Sequence, residues 1–257
     1  MFLLSPAGRK ILGLSQATGE MLSLLCETLY YFKEAPRNLH SIFRQMHQIG
    51  TGTLPIAMLM ALFVGMVLAL QTGSELTQYG SQEAVGAIVG LSMVKELGPV
   101  MTSLLVAGRI GSAMAAEVGA MKVYEEIDAL KTLEISPVRY LAMPRLIGCL
   151  LAVPALTVFT MVVGIFGGGL IAEINPMIDV PMSVYYDNLM RSLEYKDILK
   201  GLTKATAFGG IIAHVGCYVG FKTGGGARGI GQSTTQSVVI SFLLIMIANY
   251  FLTRFMI

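Results

Sequence analysis

Five stretches of this chain are apolar for about as long as a helix needs to cross a bilayer, and no soluble fold buries that many. A hydrocarbon core of about 30 Å asks for about 20 helical residues. The stretches are 54–72, 85–116, 140–174, 202–221 and 238–257. Composition agrees with them: 54% of the residues are apolar and 13% charged, where soluble domains carry about 25% charge. Twenty-nine glycines and 17 methionines without a tryptophan suit closely packed helices. A β-barrel would need segments of about ten residues alternating apolar and polar, and none recurs. The expected fold is an all-α membrane protein of five transmembrane helices, with an interfacial region over 1–48 and the membrane domain over 49–257.

The second and third stretches exceed the minimum length, so Pro99 and Pro154 inside them predict kinks, or ends that project beyond the lipid. The fourth is diluted by Lys204, Thr206 and His214. Residues 11–32 resemble a span, but Ser15, Gln16, Thr18, Glu20 and Glu27 interrupt them, and no A-x-A site follows a short apolar core. An amphipathic helix lying in the interface, flanked by Arg9, Lys10, Lys33, Arg37 and Arg44, fits better than a first span. Basic residues then set the orientation. Five precede the first stretch, whereas the loop after it offers only Glu75 and Glu83. The N-terminus is therefore expected in the cytoplasm, together with Lys122, Lys131, Arg139 and Arg145 of the next loop and Lys222 and Arg228 of the last. The segment 173–200 falls on the far side, as does Arg254, which runs against the rule.

Charges inside apolar stretches are costly and are kept where they face protein or water. Lys95 and Glu96 are such charges. Adjacent helical residues point about 100° apart, so the two do not pair with each other. Pro99 lacks the N–H that would meet the Lys95 carbonyl, which leaves an acceptor free. Either neighbouring helices satisfy these groups or they form a polar collar at the mouth of a substrate cavity. The block 117–134 is too polar for lipid and must connect two spans at a surface, where a soluble partner is expected to dock. A helix over 121–134 would carry an apolar stripe of Val123, Ile127 and Leu130 beside Glu125, Asp128 and Leu133, a groove-filling face with a polar rim.

Other signals narrow the field. A net charge of +2 gives no reason to expect nucleic acid. Cys26, Cys149 and Cys217 are odd in number and far apart, which suggests neither a disulfide framework nor a zinc site. Gly224, Gly226 and Gly229 satisfy G-x-G-x-x-G, but without the strand and βαβ unit that a dinucleotide site needs. There is no G-x-x-x-x-G-K-[ST] for ATP and no G-x-S-x-G nucleophile elbow, and His214 lacks a partner at metal-ligand spacing. Small residues four apart predict close packing: Gly108, Ser112 and Ala116; Gly111, Ala115 and Gly119; Gly164 and Gly168; Gly216 and Gly220.

The run VKELGPVMTSLLVAGRIGSAMAAEVGAMKVYEEIDALKTLEISPVRYLAMPR, ending at Arg145, with LALQ at Leu68–Gln71 and GGGARGIGQSTTQSVV at Gly224–Val239, resembles the MlaE (YrbE) permease family. Those are membrane subunits of ABC transporters that work with MCE proteins to move lipid across the bacterial envelope. The resemblance runs from about residue 49 onward. It implies a five-span homodimer in the bacterial inner membrane with an N-terminal interfacial helix. A coupling helix at about 121–134 would press into a separate ATPase subunit, carrying Val123, Glu125, Ile127, Asp128 and Leu130. A lipid cavity at the dimer interface would be lined by Leu68, Gln71, Leu76 and Tyr79, with Lys95 and Glu96 near by. It further implies a non-catalytic chain with no cofactor of its own, ATP being bound by the partner. A periplasmic MCE protein is an expected partner, and a small STAS-domain protein a further candidate. Relatives often carry basic residues where this chain has Gln232 and Gln236. The alternative from another class is an ion-coupled secondary transporter using Glu96, Lys95 and His214, but five unequal spans lack the inverted repeats such proteins show.

Overall fold

The computed structural model describes residues 6–256, with side chains from Leu12 onward apart from Leu14. The expectations for Arg9 and Lys10 as flanking charges, and for Ile257 at the end of the fifth stretch, lie outside the described residues. Helix α1 (Pro6–Tyr30) passes through a 3-10 segment, Tyr31–Asn38, into α2 (Leu39–Gln78). The second apolar stretch is one long rod in three pieces, α3 (Val85–Ser92), α4 (Gly98–Val106) and α5 (Ser112–Val123). Two π turns, Met93–Leu97 and Ala107–Gly111, join them. A short α6 (Glu126–Thr132) and a third π turn, Val138–Ala142, lead into α7 (Met143–Ile174). Helix α8 (Met182–Ser192) precedes α9 (Tyr195–Phe221) and α10 (Gly226–Met256). The described residues contain no strand.

Four helical runs are long and apolar enough to cross a membrane: 15–78, 82–123, 138–174 and 226–256. Helix α9 is not among them, because Lys204, His214 and its glycines lower its hydropathy. It is nonetheless 27 residues long and contributes Phe208, Ile212 and Ala213 to the largest buried cluster, beside Val106, Ile110, Leu156 and Ile245. The two prolines act differently. Pro99 stands in the first turn of α4, where its missing N–H is least costly, just after a π turn. Helix α7 continues through Pro154.

Small residues decide the packing. In α2 the buried positions Thr53, Ala57, Ala61, Gly65, Ala69 and Gly73 fall every fourth residue and face the bundle, while Leu59, Phe63 and Val67 are exposed. A side chain at Gly65 would put Cβ 1.8 Å from the Gly164 carbonyl oxygen of α7, so only two glycines allow these backbones to meet. Gly111 and Gly216 lie close, as the spacing predicted, and Gly119 backs onto Thr223. Gly108 faces open space, so the stripe it begins is not packed against this chain. Helix α8, within the segment 173–200, closes the α2–α3 end: Tyr185 and Leu189 are buried on α3 at Gly86 and Gly90.

Candidate functional site

The π turn at Met93–Leu97 makes room for a cluster of charges near the α8 end of the bundle. Lys204 of α9 is 2% exposed. Its ammonium donates to the Lys95 carbonyl at 3.0 Å, Glu96 Oε1 at 2.5 Å and Thr253 Oγ1 at 2.8 Å. All three of its protons are thereby used. The first acceptor is the carbonyl that Pro99 leaves without a helical donor. Glu96 Oε2 accepts from Asn249 Nδ2 at 3.1 Å, and the Thr253 hydroxyl lies 3.0 Å from Oε1. Lys95 turns away to Asp197, 2.9 Å distant. Asp197 also accepts from the Glu194 backbone N–H in a reciprocal capping box at the start of α9. The charges are thus satisfied by neighbouring helices, while the Lys95 and Glu96 side chains stay more than a third open. A buried ion pair survives only with such complete partnering.

Beside this cluster a groove of about 350 Å³ opens on the exposed face of α2, lined by Phe63, Val64, Val67, Leu68, Gln71 and Leu97. The structure therefore brings Leu68 and Gln71 to Leu97, one residue from Glu96. Two expected companions stand elsewhere. Leu76 is half-buried against the cluster of Val85, Ile178 and Tyr185. Tyr79 follows the end of α2 and projects into the open.

The connection between α5 and α7 corrects the expected single helix over 121–134. Helix α5 ends at Val123, Glu125 takes a left-handed φ of 61°, and Glu134 does the same at 59° after α6. The chain turns twice, so Val123 does not share a helix with Ile127 and Leu130. The apolar stripe also points inward. Ile127 is 2% exposed and packs on Val118 and Leu141, with Leu130 beside it and Val123 half-buried. Ile127 is therefore an anchor of this chain's own core and is not available to fill a partner's groove. The apolar groups that do reach outward are Tyr124 and Leu133, each 69% exposed. Asp128 holds the connection together, accepting from Lys131 and Lys122 at 3.0 Å each. Those hydrogen bonds, Lys131 first, keep its carboxyl below the ordinary carboxylate range. Behind α6, buried Arg145 donates to Glu117 at 2.9 Å and to the Leu141 carbonyl at 3.0 Å.

Sequence reasoning missed Asp197, Lys204, Asn249 and Thr253 as members of the charge cluster. Lys204 gave a signal, a lysine within an apolar stretch; the other three gave none.

The Permease MlaE family matches residues 42–255. A probable ABC transporter permease of Rickettsia typhi is 40% identical over 219 residues, covering 85% of this chain and 84% of the relative. Another from a Synechocystis strain is 40% identical over 223 residues, covering 85% and 82%. The chloroplastic protein trigalactosyldiacylglycerol 1 of Arabidopsis thaliana is 38% identical over 212 residues, covering 82% of this chain and 60% of the plant protein. With the matched segment taking in the glycine-paired α2 and α7 and the charge cluster on α9 and α10, this multi-pass membrane protein belongs to the MlaE family of ABC transporter permeases.

Proposed function

We propose that this permease moves phospholipid or a related lipid between the inner membrane and a periplasmic MCE protein, in envelope lipid trafficking or the upkeep of outer-membrane asymmetry. The observation that carries the reading is the apolar groove at Leu68, Gln71 and Leu97, the last of these next in the chain to Glu96 of the ion-pair cluster. An acyl chain needs an unbroken apolar wall, and a headgroup needs fixed polar groups at one end of it. The plant relative, which bears a glycolipid in its name, supports a lipid cargo. In this reading Leu68 and Gln71 line the path and Lys95 and Glu96 stand at its mouth. The working unit is a homodimer with two ATPase subunits, which hold the ATP; a STAS-domain protein is a further candidate. Membership in an ABC permease family replaces the ion-coupled alternative.

The chain crosses the inner membrane five times with its N-terminus in the cytoplasm. Helix α9 makes the fourth crossing, since 27 residues at about 1.5 Å each outreach the hydrocarbon core. The α5–α7 connection then faces the cytoplasm and receives the ATPase. Photocrosslinkers at Leu68 and Gln71, in membranes containing the ATPase-bound permease, should label lipid well above a probe at Val106, which is buried in the bundle. Equal labelling at the three positions would remove the groove from the transport path.

A further inference from the structure

A second cavity lies far from that groove. About 660 Å³ lies between α1, α9 and α10 near the α5–α7 connection. Met21 and Leu25 of α1 and Ile240 and Leu244 of α10 give it an apolar wall, which His214 of α9 interrupts. Polar groups gather at the opposite end, where Lys222, Ser233 and Gln236 line it. From Ser233 to Leu244 the cavity follows α10 for roughly 16 Å. Helix α1 is fastened across it by an ion pair between Glu20 and Lys222 and by the Tyr218 hydroxyl, which donates to the Ala17 carbonyl at 3.3 Å. Lys222 lies over the Tyr218 ring, 4.9 Å from its centroid.

We infer that this cavity holds one acyl chain of a diacyl phospholipid drawn from the leaflet that α1 borders, with the phosphate at Lys222. Two features select that occupant. The protein is a membrane protein, so bilayer lipid is the apolar material at hand around Leu22, which is exposed at the cavity's edge. The polarity is graded along one axis, cationic and amide-bearing at one end and hydrocarbon at the other, as in an amphiphile and unlike a peptide face. The assignment needs only that the chain lies in a bilayer. It is independent of the transport groove, which opens on α2 and not on α10.

The test uses the intact permease–ATPase complex in nanodiscs containing a phosphatidylethanolamine probe with a photoreactive group near the end of one acyl chain. Labelled residues are mapped by mass spectrometry. Met21, Leu25 and Ile240 should be labelled several-fold above Val162, which faces outward from α7. Ile240→Trp, which fills the cavity, should reduce labelling at Met21 and Leu25 to the Val162 level while labelling near Leu68 persists. Glu20→Gln with Lys222→Gln removes both charges together; it should weaken capture of the phospholipid probe and leave a diacylglycerol probe unaffected. Labelling in unmodified protein no greater than at Val162 overturns the proposal, as does crosslinking of Ile240 to a second copy of the chain instead of lipid. If the doubly neutral variant captures both probes as the parent does, the phosphate assignment fails.

Discussion

Charge is handled in opposite ways at the two ends of this permease. Near α8, Lys204 is enclosed by three acceptors and Glu96 is held from two helices, so the charges serve to lock α9, α10 and the π turn together. At the α5–α7 connection the arrangement is inverted. There the apolar Ile127 is enclosed, while Glu125, Glu126 and Asp128 lie open beside the exposed Tyr124 and Leu133. A charge inside the bundle is a structural tie, because leaving it unpaired is costly. A charge on a turn that also exposes large apolar groups marks a surface another protein can cover. The difference teaches that residue type alone does not assign a role; enclosure does.

The sharpest way to break the contrast is to remove one partner from the enclosed pair. Lys204→Met leaves Glu96 without its cation, and the purified permease should lose about 1–3 kcal/mol of stability, read as a fall in thermal midpoint. Adding Glu96→Gln should recover part of the loss. A Lys204→Met protein as stable as the parent would mean that water, not Lys204, satisfies Glu96. At the other end, Tyr124→Asp with Leu133→Asp should leave the thermal midpoint of the permease unchanged. It should weaken retention of the ATPase subunit by on the order of 2 kcal/mol per residue if both are binding hot spots. Ile127→Asp should do the reverse and destabilise the permease itself, since it places a carboxylate among Val118 and Leu141. Co-purification and thermal unfolding measured on the same preparations separate the two outcomes.

The smallest effect concerns Asp128. Its folded carboxyl titrates below the ordinary range because Lys131 and Lys122 donate to it. Its contribution is therefore fully present above the unfolded value of about 3.9 and is lost as pH falls through the folded value. Asp128→Asn should speed amide hydrogen exchange in α6 slightly at neutral pH. Equal exchange in the two proteins would show that the bridge adds nothing measurable, as is common for exposed pairs.

The helices were legible in the sequence because apolar run length and proline position act locally. Pro99 announced a free Lys95 carbonyl, and the structure supplies its donor. What took that role, Lys204, lies 109 residues away, and no periodic pattern carries information over such a distance. The connection failed for a different reason. Spacing identified a stripe of Val123, Ile127 and Leu130 but could not say whether it faced a partner or the parent bundle, and nothing about Glu125 signalled a left-handed φ, which non-glycine residues seldom adopt. Leu68 and Gln71 fell together because one turn of helix joins them. Leu76 and Tyr79 lie beyond that turn, where α8 and the end of α2 set their surroundings.

The contact between Gly65 and Gly164 has a mechanical consequence. Two backbones in direct touch cannot slide or roll past one another without a collision of main-chain atoms, so α2 and α7 must travel as one rigid strut. The exposed edge of α2 carries the groove at Leu68, whereas α7 follows directly from the connection that holds α6. A push at the α5–α7 connection thus arrives at the groove as a displacement of the whole strut, with no intervening joint to absorb it, and widening is left to α10, the least buried of the four long apolar runs.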